Sequence, residues 1–152
     1  MSHDRPFIGS ALVEAKDTRF LGLLTRTLTR IPPGAPPLRT VRRVTLRRRG
    51  RMAGLVGLTI WGDLAYGVEG RSGASDEIRG GRQTLSFYTE LLNQLSEDAY
   101  VGVIAHELAH AWLNEHVVPE NSRAREVEAD ALARRWGFGE ELDALEQETE
   151  PI

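Results

Sequence analysis

Apolar residues Phe20, Leu24, Leu28 and Ile31 recur every three to four positions, which predicts a helix capped by Asp17 or Thr18. The prolines at 32, 33, 36 and 37 end it, because proline has no amide proton to donate and its ring blocks a continuing helix. Val44 and Leu46 then alternate with Arg43, Thr45 and Arg47, the signature of a half-buried strand. Gly50 and Arg51 suggest a turn into a second strand, Leu55–Trp61, with a third over Ala65–Val68. Glu69 to Gln83 is rich in glycine, serine and charge and is expected to be a loop. A strand ending at Tyr88, a short helix, and a long helix capped by Ser96 and running to about Glu115 follow. On that helix Val101, Ile104, Leu108 and Ala111 form one stripe, expected to face the core. Ala99, Val103, His106 and His110 form another, expected to line a cleft. Ser122 opens a last long helix through Trp136, terminated by Gly137. Residues 139–152 form an acidic tail, read as a short helix with a frayed end. Strands followed by helices make an α+β fold, a small twisted sheet packed on the helices, in a single domain over 1–152.

Composition narrows the class. With 41% hydrophobic and 27% charged residues the chain reads as a globular domain. It has no cysteine, so disulfides and thiolate metal sites are excluded. The start lacks a signal-peptide pattern, and the longest apolar stretch, Met52 to Trp61, is too short to span a bilayer. The expectation is a cytoplasmic protein with no membrane partner. Charge is divided unevenly: residues 1–90 carry 15 Lys+Arg against 8 Asp+Glu, and residues 91–152 carry 4 against 14. Seven arginines fall between Arg39 and Arg51. Such a stripe could bind nucleic acid. The favoured expectation is a solvated strand face, neutralised by the acidic tail of the same chain, since no aromatic residue is interleaved to stack bases.

The chemistry is concentrated late in the chain, in His106-Glu107-Leu108-Ala109-His110 and in Glu126-Val127-Glu128-Ala129-Asp130. Histidines four apart on a helix lie about 40° from each other around its axis, so both imidazoles reach one ion. Glu107, about 100° round from His106, is placed to act as a base on water at that ion. A catalytic zinc takes a third protein ligand and keeps one position open. Glu126 is the first choice for it. His116 competes, at the ligand spacing of metzincins, but that class has a glycine where this chain has Leu113, and a methionine turn that this chain lacks. Asp130, one turn beyond Glu126, could orient a ligating histidine or pair with Arg134. Tyr66, Tyr88 and His116 are weak candidates for stabilising a developing oxyanion.

The segment from Phe87 to His110, followed by Ser122, Arg123 and the Glu126–Asp130 box, resembles the gluzincin zinc peptidases, and within them the HtpX-like family. The resemblance covers roughly residues 84–138. It implies zinc on His106, His110 and Glu126, Glu107 as base, and Asp130 supporting a histidine. HtpX-like enzymes are membrane proteins, so the chain looks more like the soluble minigluzincins, single small zincin-like α+β domains. DA1-like and ImmA/IrrE-like peptidases share a similar arrangement. The expected function is a zinc metallopeptidase, an endopeptidase acting on protein or peptide substrates with one zinc per chain. The alternatives are a DNA-associated regulatory protease that uses the arginine stripe, and a catalytically silent module in which zinc only stabilises the fold.

Overall fold

The computed structural model describes residues 8, 12–36, 38–48, 55–61, 64–69, 74–79, 82–116 and 122–149. Six strands and five helices follow in the order β1 (Leu12–Glu14), α1 (Thr18–Arg30), β2 (Val41–Arg47), β3 (Leu55–Trp61), β4 (Leu64–Glu69), β5 (Ala74–Arg79), β6 (Arg82–Tyr88), α2 (Thr89–Leu92), α3 (Glu97–His116), α4 (Ser122–Ala133) and α5 (Gly139–Thr149). The strands form one mixed sheet ordered β1-β2-β6-β5-β3-β4. β1, β2 and β6 run parallel to one another, β5 is antiparallel to β6 and parallel to β3, and β4 closes the sheet as an antiparallel edge. The architecture is α+β, as the sequence pattern implies. No helix among the described residues is long and apolar enough to cross a membrane.

Local chemistry explains most boundaries. Asp17 caps α1 by accepting from the Phe20 amide at 3.0 Å. Ser96 caps α3 in the same way, accepting from the Ala99 amide at 3.2 Å. Gly137 sits at φ 101° in a π-helical turn, Arg134–Phe138, that joins α4 to α5, a conformation glycine adopts without a Cβ penalty. The core lies on one face of the sheet, where Val44, Leu85 and Phe87 meet Phe20, Leu24 and Leu28 of α1 and the body of α3. The Phe20 and Phe87 rings are 5.3 Å apart.

The structure corrects the sequence in four places. Ala74–Arg79, expected within a loop over Glu69–Gln83, is a strand, because pairing on both sides with β3 and β6 outweighs weak local preference. β1, unanticipated at three residues, owes its existence to parallel pairing with β2. Helix α3 is buried nearly all round rather than on one stripe: Ala99 to Ala111 are all buried. It is the central helix of the domain, packed on α1, α4, α5 and the sheet.

The acidic end is the fourth correction. Residues 139–149 form helix α5, and the partners of its carboxylates among the described residues lie outside the arginine stripe. Glu141 takes a bidentate pair of bonds from Arg30, at 2.5 and 3.3 Å. Asp143 pairs with Arg134 at 2.9 Å, and Glu148 accepts from the Ser96 amide at 2.8 Å and from its hydroxyl. The physical reason is that α5 docks on α3, so its acidic side meets α1, the turn after α4 and the positive end of α3.

Candidate metal centre

The long helix α3 supplies the first three groups. His106, Glu107 and His110 are 5%, 0% and 0% exposed, and each offers an atom within 4.8 Å of the others. The two imidazoles meet edge to face with centroids 4.7 Å apart. Helix α4 supplies the fourth group. His106 Nε2 lies 2.8 Å from one oxygen of Glu126, and His110 Nε2 lies 3.2 Å from the other. One carboxylate therefore ties both rings together across two helices.

These donors fit a zinc ion. Zinc–nitrogen and zinc–oxygen bonds of about 2.0–2.2 Å in a tetrahedron set ligand atoms roughly 3.3–3.5 Å apart. The N···O separations of 2.8 and 3.2 Å are a few tenths of an ångström shorter, as expected of hydrogen bonds between atoms that a cation would push slightly apart. Nitrogen and carboxylate donors without sulfur also suit zinc.

Electrostatics binds the cluster. Burial pushes the Glu126 carboxyl upward, but bonds from His106 and His110 and the charge on their rings outweigh it and hold the group down at about 2. Burial works against a charged His106 ring, yet the bond to Glu126 and the nearby charges of Glu126, Glu107 and Asp130 overcome it and raise its pKa. The two shifts support each other: an ionised Glu126 favours the charged His106 ring beside it, and that ring favours the carboxylate.

The anchoring of α3 was not visible in the sequence. Glu115 accepts from the amides of Arg39 and Thr40 at 2.7 Å each and from the Thr40 hydroxyl at 2.8 Å. Gln83, on β6, donates to Thr40 Oγ1 at 2.8 Å and to the Ala111 carbonyl at 3.0 Å, and accepts from Asn114 at 3.2 Å. The one available signal was Asn114, a polar residue one turn beyond His110.

Other candidates sit elsewhere. Asp130 accepts from Arg134 Nε at 2.8 Å and reaches His106 only through its charge. His116 stacks on Trp112, with centroids 4.4 Å apart, and its Nδ1 lies 2.9 Å from the Trp112 carbonyl at the end of α3. Tyr88 ends β6 opposite Arg47, and strand alternation sets it on the other sheet face from Phe87. Tyr66 pairs with Thr59 on the edge strand β4, and its side chain lies outside the described residues.

A family model described as Peptidase family M48, a family of zinc-dependent metallopeptidases, matches residues 78–120. The match spans β6, α2 and α3 with His106, Glu107 and His110, and stops before Glu126. No curated protein and no solved structure gives a significant match to the chain.

Proposed function

We propose that the chain is a zinc metallopeptidase, with the metal held by His106, His110 and Glu126 and with Glu107 as the general base. The observation that carries this reading is the convergence of both Nε2 atoms on the Glu126 carboxylate. It supports Glu126, rather than Glu107, as the third ligand, and so leaves Glu107 for proton transfer. A bound zinc supplies Lewis acidity, lowering the pKa of a water towards about 7 and polarising a carbonyl.

The remaining work falls to the chain. Glu107, buried beside the ligand pair, accepts the proton of the attacking water and returns it to the leaving amine as the peptide bond breaks. Glu126 is oriented by α4, which packs on the edge strand β4. An extended peptide adding to β4 through backbone hydrogen bonds would therefore lie along the same side of the domain as Glu126. Backbone pairing gives affinity with little side-chain selectivity, which suits an endopeptidase.

A purely structural metal fits less well. Such sites are closed by four ligands and are usually rich in cysteine, of which there is none. A purely structural site would also have no use for the buried Glu107 beside the ligand pair. The deciding experiment measures zinc content and cleavage of a quenched-fluorescent peptide library by the parent and by Glu107→Gln. The variant should keep its zinc and lose activity by about 10²–10⁴. Retention of a large share of the activity would remove Glu107 from the mechanism.

A further inference from the structure

The geometry points to a nucleic-acid-binding surface along β2, formed by the exposed Arg42, Arg43 and Arg47 on the sheet face away from α3 and by the exposed Arg48 just beyond the strand, and fitted to the phosphate backbone of a duplex. Helix α3 and the metal centre lie against the opposite face, with Leu85 and Phe87 between. The surface therefore goes beyond the proposed peptidase and does not depend on it.

Register creates the patch. The pairing of β2 with β6 shifts between Val41 and Arg43, so a bulge intervenes where simple alternation would have sent Arg42 and Arg43 to opposite faces. Val41 is buried, whereas Arg42 and Arg43 are both exposed. Val44 returns to the core, and Arg47 and Arg48 are exposed again at the strand's end. Arg43 and Arg47, four residues apart, are separated by about 13 Å along the strand. Between them the buried Thr45 donates to Ser86 at 3.0 Å, a polar link that ties β2 to β6.

Among the described residues most of these charges have no ion-pair partner. Arg26, Arg30 and Arg134 pair with Glu97, Glu141 and Asp143. On β2 only Arg43 has a partner, Glu14 at 2.6 Å, and that pair is about half exposed on both sides. Among the described residues Arg42, Arg47 and Arg48 form no ion pair. On α5, Glu141, Asp143 and Glu148 bond to Arg30, Arg134 and Ser96 instead.

The chemistry selects the partner. Guanidinium groups grip phosphate through paired N–H donors, and a rigid row of them matches a regularly charged polymer. Single strands are disfavoured because the neighbouring aromatic residues, Phe87 and Tyr88, are buried and cannot stack bases. A membrane is disfavoured because the one large hydrophobic residue exposed among the described residues is Val127, on α4.

The test is fluorescence anisotropy with a mixed-sequence DNA duplex of about 25 base pairs and the full chain. Three to four phosphate contacts predict a fall in affinity of roughly 40–150-fold between about 50 and 200 mM salt. Arg42→Gln, Arg47→Gln and Arg48→Gln should each reduce the logarithmic salt slope by about 0.9, and together nearly abolish binding. The triple lysine replacement should retain it, and Arg135→Gln, exposed on another face, should leave it unchanged. Circular dichroism checks that each variant is folded, and the single variants suffice if the triple one is not. Absence of binding at low salt, or equal losses in Arg135→Gln and the β2 variants, overturns the proposal. Tighter binding to phosphatidylserine vesicles or to polyglutamate than to DNA overturns the choice of nucleic acid.

Discussion

Gly102 and Glu141 meet backbone against backbone: a Cβ built on Gly102 would stand 2.6 Å from the Glu141 carbonyl oxygen and 3.4 Å from the Leu145 Cβ. The absence of a side chain at Gly102 is what lets α5 lie directly on the helix that carries His106 and His110. Gly102→Ala should therefore destabilise the fold, although alanine favours helix by about 1 kcal/mol. The obstacle is backbone, which cannot rotate away, so overpacking of about 1–3 kcal/mol or more wins. Gly22, inside α1, has nothing within 4 Å of its would-be Cβ, and Gly22→Ala should stabilise by about 0.5–1 kcal/mol. Urea midpoints of the two variants should move in opposite directions. A stabilised Gly102→Ala protein would show that the two helices do not touch there.

The same clasp has an electrostatic half. Burial pushes the Glu141 carboxyl up, but the bidentate bonds from Arg30, helped by a backbone bond and the charge of Arg26, bring it below its usual value. A depressed carboxyl contributes stability above its unfolded pKa, near 4.5, and loses it as pH falls through the folded value. Glu141→Gln should cost about 1–2 kcal/mol at neutral pH, a figure reduced because Arg30 is 34% exposed. The gap between parent and variant should close in acid, where both side chains are neutral. A gap that stays constant from neutral pH down to about pH 3 would mean that shape, not charge, holds α5.

Much of this architecture was legible because its signals are local. Asp17 and Ser96 announce helix starts through side-chain caps, Gly137 announces a stop, and the Leu55–Trp61 strand follows from its own composition. The histidine pair was equally plain, since helix geometry alone brings residues four apart together. What escaped was set by partners distant in sequence. Strand β5 exists through its two neighbours, the Glu115–Thr40–Gln83 network joins three elements, and Glu141, Asp143 and Glu148 bond to Arg30, Arg134 and Ser96. Charge counts show that compensation is available, not where it occurs.

Metal binding should be linked to protons. Without a metal, the raised pKa of His106 favours a proton on the ring beside Glu126. A raised histidine stabilises the metal-free fold below its unfolded value of about 6.5 and stops doing so as pH rises through the folded value. Glu126, held down at about 2, contributes from above its unfolded value near 4.5. The pair thus favours the metal-free form most between about pH 4.5 and 6.5, and a metal must displace the proton there. Zinc affinity should rise with pH across the neutral range, with proton release measurable by titration calorimetry in buffers of different ionisation enthalpy. Affinity independent of pH and buffer would contradict this linkage.

The ligand assignment can be tested against its strongest competitor from the sequence. Glu126 touches both Nε2 atoms, whereas His116 is stacked on Trp112 with its Nδ1 at the Trp112 carbonyl. His106→Ala, His110→Ala and Glu126→Ala should each abolish stoichiometric zinc binding, and His116→Ala should leave it intact. Zinc should also raise the stability of the parent, because ligands drawn from α3 and α4 come together only in the folded chain. A free zinc concentration 100 times the dissociation constant corresponds to about 2.7 kcal/mol. The Glu126→Ala protein removes a group that neutralises His106 in the metal-free site, so its own melting temperature should fall as well, and zinc should not restore it. If Glu126→Ala binds zinc as tightly as the parent while His116→Ala loses it, the metal lies on α3 alone and the role given to α4 is wrong.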